Sequence, residues 1–145
     1  MEIVLLLSNL AATLVMVGII WFVQIVHYPL FGRVGTAGFP AYSAAHSRLT
    51  GLVVGPPMLV EAVTAVLLLF VRPAVVPAAG VWGGVFLLAG VWLSTALLQA
   101  PRHRVLGLDF DVSAHRFLVL SNWLRTVLWS ARGLLVLWMV ARVMA

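Results

Sequence analysis

Four long apolar stretches dominate this sequence and restrict it to the class of integral membrane proteins. They cover Ile3–Val26, Leu49–Val71, Ala79–Ala100 and Phe117–Val140. A helix needs about 20 mostly apolar residues to cross a bilayer, and a helix satisfies all its backbone hydrogen bonds within one such segment. The sequence therefore predicts an all-α fold, an integral membrane four-helix bundle in which residues 1–145 form a single transmembrane domain.

The composition of the chain excludes several functional classes. Hydrophobic residues make up 63% of the chain and charged residues 9%, a balance that a soluble domain of 145 residues cannot hide from water. The net charge of +5 does not indicate nucleic-acid binding, because the basic residues are scattered and form no stripe with interleaved aromatics. Cysteine is absent, which excludes disulfides, thiolate catalysis and cysteine-ligated metals.

The arginines predict how the chain is oriented. Segments 27–48 and 101–116 fall on one side of the membrane, called here the loop side, and hold Arg33, Arg48, Arg102, Arg104 and Arg116. Short arginine-rich loops stay in the cytoplasm, so both termini are expected outside it, on the opposite or terminal side. We expect a multi-pass protein of a bacterial inner membrane. The first stretch is expected to be a span and not a signal peptide, because no basic residue precedes it.

Prolines and one acidic residue predict where helices end and begin. Pro29 and Pro101 are expected to end the first and third helices, because the residue before a proline avoids the α conformation. A loop is then expected over Arg102–Val112, with Asp111 or Ser113 capping the fourth helix.

An internal repeat is also visible near these prolines. The first stretch closes on Gln24, His27 and Pro29, and the third closes on Gln99, Pro101 and His103. This pattern predicts two helix pairs related by an axis along the membrane normal, an arrangement that places sites at the repeat interface.

Polar and ionisable residues inside or beside the apolar stretches form the candidate site. Such groups are costly within a membrane and face a bundle interior or a cavity. Helical spacing places Trp129 on the same face as Asn122 and Arg125. The candidate residues are the histidines His27, His46, His103 and His115 at the loop-side ends of the stretches, and Gln24, Glu61, Gln99, Asn122, Arg125 and Trp129 within them.

Two of these residues are expected to form an ion pair. Glu61 lies eleven residues after Thr50 and Arg125 lies ten residues after His115, so both are roughly 15 Å deep at a rise of about 1.5 Å per residue. Because a lone charge at this depth is expensive, we expect Glu61 and Arg125 to be paired. Arg132 is expected to reach the terminal-side surface.

The histidines leave the cofactor open between three alternatives. His27, His46, His103 and His115 are candidate metal ligands, and imidazoles with one carboxylate suit iron, copper or zinc. Haem b between paired histidines is the second alternative, because four-helix bundles hold cofactors in their cores. The third is a site without a cofactor. Gln24, Gln99 and Trp129 are the candidate residues for contacting a cofactor.

The last helix carries a family resemblance. The run Asn122-Trp123-Leu124-Arg125-Thr126 resembles the Asn-x-x-Arg-Thr pattern of small four-helix membrane proteins grouped with fungal anthrone oxygenases. The element Gln99-Ala100-Pro101-Arg102-His103 sits where that family has a polar-x-Pro-x-polar element, with Gln99 and His103 in place of the expected asparagines. The resemblance implies an oxygenase of aromatic, quinone-like substrates without an added cofactor, with Asn122 and Arg125 in the active site.

The sequence thus favours one function and leaves two alternatives. The favoured function is an integral-membrane oxidoreductase whose histidines act as bases or metal ligands while Arg125 stabilises a phenolate or enolate. The alternatives are a haem- or metal-binding membrane protein, and a small transporter or interaction subunit without enzymatic activity. The expected partners are the lipid bilayer and a lipid-soluble small molecule, and a homo-oligomer stays open.

Overall fold

The computed structural model describes all residues 1–145 and contains four long helices and no strand. The helices are α1, Glu2–Arg33; α2, Phe39–Phe70; α3, Ala78–Leu108; and α4, Val112–Met144. Each is long and apolar enough to cross a bilayer. The prediction of an all-α four-helix bundle is therefore confirmed, and the chain is an integral multi-pass membrane protein.

The four helices pack as a closed ring in chain order. α1 packs against α2, α2 against α3, α3 against α4, and α4 returns to α1. Only residues 34–38, 71–77 and 109–111 connect them, so each helix runs antiparallel to its neighbours in the chain. Large apolar side chains such as Phe70, Phe86 and Leu134 point away from the bundle and are mostly exposed. This outward apolar surface is the one that lipid covers in a membrane protein.

The prediction that Pro29 and Pro101 end their helices is wrong. A proline lacks the N–H that bonds the carbonyl four residues back, and its ring crowds that carbonyl. The chain adapts through one π-helical turn before each proline, at Val23–His27 in α1 and at Thr95–Gln99 in α3. α1 then continues to Arg33 and α3 to Leu108, so most of the expected loop Arg102–Val112 is helical.

The two π-helical turns give the internal repeat a defined register. Each turn begins six residues before its proline, so Pro29 corresponds to Pro101 and His27 corresponds to Gln99. The sequence pattern had instead matched Gln24 with Gln99. π-helical turns are frequent at functional sites, and both of these lie in the loop-side half of the bundle.

The start of α4 follows the sequence prediction. The Asp111 side chain accepts a hydrogen bond of 2.6 Å from the backbone N–H of Ala114 and one of 2.7 Å from the Ser113 hydroxyl. These bonds, led by the one from Ala114, hold the pKa of the Asp111 carboxyl below its ordinary value. Asp111 is thus the N-cap of α4.

Candidate functional site

The interior of the bundle holds two separate polar clusters. The first, called here the clasp, contains Asn9, Thr13, Glu61, Thr64, Trp129 and Arg132 in the terminal-side half. The second surrounds a cavity in the loop-side half. Between them lies an apolar layer formed by Met16, Ile20, Met58, Val91 and the ring of Trp129. The two clusters differ in how completely their polar atoms are bonded.

The clasp joins all four helices around a fully buried ion pair. Arg132 Nε donates to Glu61 Oε1 at 2.7 Å, and the two side chains are 1% and 0% exposed. Glu61 also accepts hydrogen bonds from the Thr13 hydroxyl at 2.8 Å and the Trp129 indole N–H at 3.1 Å. Arg132 donates further to the Asn9 side-chain oxygen. Every charge in the clasp is therefore compensated, as a buried ion pair requires.

A glycine in α3 lets Arg132 reach its last partner. Arg132 Nη1 donates to the backbone carbonyl of Gly84. A Cβ atom at position 84 would lie 2.9 Å from Arg132 Nη1, closer than such atoms approach. The absence of a side chain at Gly84 thus allows α3 to contribute a carbonyl to the clasp.

The predicted ion pair between Glu61 and Arg125 is wrong, and so is the expectation that Arg132 reaches the surface. Counted from the helix starts, Glu61 lies 22 residues after Phe39 and Arg132 lies 20 residues after Val112. At about 1.5 Å per residue both are roughly 30 Å along parallel helices. Arg125 lies only 13 residues into α4. The error came from counting the depth of Glu61 from Thr50, eleven residues inside α2, and that of Arg125 from His115, three residues inside α4.

The second cluster lines a cavity of about 310 Å³ between α2 and α3, with contributions from α1 and α4. Its polar lining includes Tyr28, His46, Gln99, His103 and Arg125. This volume lies within the roughly 300–1,000 Å³ that small-molecule pockets usually have. The structure therefore brings three of the predicted site residues besides Arg125 to one cavity, and adds Tyr28.

Hydrogen bonds hold the side chains of the cavity wall in place. The Tyr28 hydroxyl lies 2.9 Å from His103 Nε2. His46 Nδ1 lies 2.8 Å from His27 Nε2 and 3.0 Å from the Thr50 hydroxyl, while His46 Nε2 makes no hydrogen bond. When the proton is on His46 Nδ1 and is donated to His27 or Thr50, the Nε2 atom keeps its lone pair free. A histidine ring held in this way can act as a general base.

Arg125 is a cation without a carboxylate partner. The chain has four acidic residues, and of these Glu61 alone is buried, where it is bound to Arg132. The Arg125 guanidinium instead lies 5.3 Å from the ring centroid of Trp129 and beside the Tyr28 phenol. Its Nε is buried and makes no hydrogen bond. A lone cation in a membrane cavity is costly unless an anion joins it.

Six buried polar side-chain atoms lack a hydrogen-bond partner, and half of them belong to residues that line this cavity. They include Gln99 Oε1, His103 Nδ1 and Arg125 Nε, all from residues of the cavity lining. No atom of the clasp is among them. Each unpaired buried polar atom costs about 1–3 kcal/mol, so the loop-side cluster is less completely bonded than the clasp.

The predicted amides Gln24 and Asn122 lie beside the cavity and not in its wall. Asn122 donates to Gln24 Oε1 at 2.9 Å, and Gln24 donates to the Val119 carbonyl at 3.2 Å. Both side chains are buried. The pair therefore ties α1 to α4 directly behind the cavity, one turn from Arg125.

The four histidines surround a phenylalanine and do not converge on a metal site. The fully buried ring of Phe31 lies 5.0–6.4 Å, between ring centroids, from all four. The structure holds no group of three or more histidine, aspartate or glutamate side chains placed to bind a metal ion. His115 Nε2 donates to the Tyr28 carbonyl, 2.8 Å away, and His115 does not line the cavity. The histidines are close to one another, as the sequence suggested, but around an aromatic core.

Sequence reasoning missed several residues of both clusters. Tyr28 was passed over because it stood beside His27 as part of a helix end. Asn9 and Thr13 are four residues apart in α1 and form a polar stripe that helical spacing alone marks as inward-facing. Phe31 gave no such signal, because it lies beyond Pro29, the expected end of the first helix.

Comparisons of the chain with protein-family models, curated proteins and solved structures return no match.

Proposed function

We propose that the protein is an integral-membrane oxygenase that acts on a lipid-soluble, acidic aromatic substrate. The observation that carries this proposal is the uncompensated Arg125 at a cavity whose wall also holds an oriented histidine. A phenolate or enolate would supply the missing negative charge. The anthrone-oxygenase-like pattern around Asn122 and Arg125 is consistent with such a substrate.

The proposed roles follow from the bonding of each side chain. His46 Nε2 removes a proton from an activated methylene of the substrate, and His27 and Thr50 hold the His46 ring. Arg125, with the Tyr28 hydroxyl beside it, stabilises the oxyanion onto which the negative charge spreads. Gln99, which lines the cavity and is held by its hydrogen bond to the Ser121 hydroxyl, orients a substrate hydroxyl.

The oxidant is molecular oxygen, and the step balances without a further co-reactant. The substrate carbanion gives its electrons to O2, so that a C–O bond forms and a hydroperoxide results after protonation by the His46 imidazolium. Loss of the second methylene proton breaks the O–O bond and releases water. The methylene thereby becomes a carbonyl, one oxygen atom of O2 stays in the product, and the other leaves as water.

Oxygen uptake tests this function. Purified protein in lipid nanodiscs should consume O2 in equal amount to a hydroxylated anthrone and convert it to the quinone. Gly51 lines the cavity, and a Cβ at this position meets no atom within 4 Å. Gly51→Leu should therefore fill the cavity and abolish uptake, while Gly107→Leu, equally open but away from the cavity, should not. Equal uptake by wild type and Gly51→Leu would exclude this cavity as the site.

His27 and His46 are expected to act as a unit. His46→Ala should lower the rate of O2 uptake by about 10²–10⁴-fold, as the loss of a general base does. His27→Ala should cause a smaller loss, and adding it to His46→Ala should cause no further loss, because His27 acts through His46. Rates that fall by the product of the two single effects would contradict this relation.

We further propose that the loop side faces the cytoplasm of a bacterial inner membrane. Five of the nine arginines lie at this side, in segments 27–48 and 101–116. Alkaline phosphatase fused after Arg48 should be inactive, and the same reporter fused at Ala145 should be active. The reverse pattern would place the cavity at the outer face and contradict the proposed orientation.

A further inference from the structure

A second cavity, called here the groove, lies between α1 and α2 on the lipid-facing surface. It measures about 400 Å³ and is lined by apolar residues that include Ile19, Phe22, Val23 and Val53, together with Gly18. Phe22 and Val53 are 58% and 60% exposed, so the groove opens toward lipid. His27 and Thr50 are its polar lining residues.

The groove meets the site cavity at the inner face of α2. His46, Thr50, Val54 and Met58 follow one another at intervals of four residues and all line the site cavity. Thr50 and Val54 also line the groove. His27 lines the groove and bonds His46, which lines the cavity. Only a thin wall of side chains therefore separates the two spaces.

We propose that the groove holds the hydrocarbon chain of the substrate, whose acidic aromatic head lies in the site cavity against Arg125. This inference rests on the proposed function and narrows its substrate to an amphiphile with an alkyl or isoprenoid chain. The groove is apolar where a chain lies and polar where it joins the cavity. The substrate enters sideways from the bilayer, past the wall formed by His27 and Thr50.

The groove fixes the position of the substrate and adds little to its binding affinity. A hydrocarbon chain is already in an apolar medium when it is dissolved in the bilayer, so moving it into the groove gains no hydrophobic free energy. What the groove provides is a fixed register between chain and head. The experiment must therefore determine where the hydrocarbon chain lies, and not only the affinity of the substrate.

Photolabelling determines the position of the hydrocarbon chain. The tailed probe is a para-dodecyl-ortho-nitrophenol with a diazirine at the end of its chain, and the head-only probe is para-ethyl-ortho-nitrophenol. A phosphatidylcholine with the same diazirine chain serves as the lipid probe. In wild-type nanodiscs the tailed probe should label peptides that contain residues 18–23 and 49–54, and the lipid probe should label all lipid-facing surfaces.

Two variants separate the groove from the site. A Cβ at Gly18 meets no atom within 4 Å, so Gly18→Leu should fill the groove without straining the helices. It should remove groove labelling and leave binding of the head-only probe unchanged, as judged by the phenolate absorbance. Arg125→Gln should weaken the head-only probe and make labelling by the tailed probe as diffuse as that of the lipid probe.

Two results would overturn the inference in different ways. In the first, binding of the head-only probe depends on Arg125, but labelling by the tailed probe is the same in wild type and Gly18→Leu. This result would exclude the groove as the site of the chain and would leave the proposed function standing. Head-only binding that is the same in wild type and Arg125→Gln would remove the proposed function, and the amphiphile inference would fall with it.

Discussion

Arg132→Gln is expected to lower the free energy of unfolding by about 3–5 kcal/mol, because it leaves the Glu61 carboxylate charged and uncompensated inside the bundle. Glu61→Gln should lower the free energy of unfolding by a similar amount, since it leaves the buried Arg132 without its carboxylate partner. Unfolding in mixed micelles of increasing sodium dodecyl sulfate, followed by tryptophan fluorescence, measures the change. These are the largest stability effects that the structure predicts for single substitutions.

The double variant is the control for this prediction. Glu61→Gln combined with Arg132→Gln removes both charges and leaves amides that bond each other and Thr13. It should recover part of the stability that either single substitution loses. Additive losses in the double variant would mean that Glu61 and Arg132 do not stabilise one another.

Arg125→Gln is expected to have a different profile, with lost activity and a smaller loss of stability. Removing one donor to a developing oxyanion lowers kcat by about 10²–10³-fold, and O2 uptake with the hydroxyanthrone should fall to that extent. The free energy of unfolding should fall by less than in Arg132→Gln, because the cation has no carboxylate partner. It loses its contact with the Tyr28 phenol and a desolvated cation–π contact with Trp129, worth about 2 kcal/mol.

Arg125→Lys and Arg102→Gln complete this test. Lysine keeps the charge but lacks the planar fork of arginine, so a partial loss of activity is expected. Arg102 stacks on Phe117 and does not line the cavity, and its replacement should leave O2 uptake unchanged. A loss of stability in Arg125→Gln as large as that in Arg132→Gln would show that Arg125 is a structural residue.

The fold was predictable because hydropathy alone identifies membrane spans. The helix ends were not, since proline has two outcomes that sequence does not separate. It either stops a helix or is absorbed by a π-helical turn, as happens before Pro29 and Pro101. Absorption adds about two turns to α3 and carries His103 inside a helix, where it faces Tyr28.

The sequence predicted which residues belong to the candidate site better than it predicted which of them contact one another. His46, Gln99, His103 and Arg125 do share a cavity. The partner of Glu61 was missed because its depth was counted from Thr50, although α2 begins at Phe39, eleven residues earlier. Pairing errors of this kind follow when the depths of two charges are counted from residues that lie at different levels along their helices.

Arg125 is expected to bind an anion in the site cavity. The ionisation of a phenol bound there tests this central claim most directly. The head-only nitrophenol is titrated in nanodiscs, and its visible phenolate band is recorded against pH. With wild type the band should appear about 1–3 pH units below its position with Arg125→Gln, because a nearby uncompensated guanidinium favours the phenolate. Coincident titration curves for the two proteins would contradict the claim.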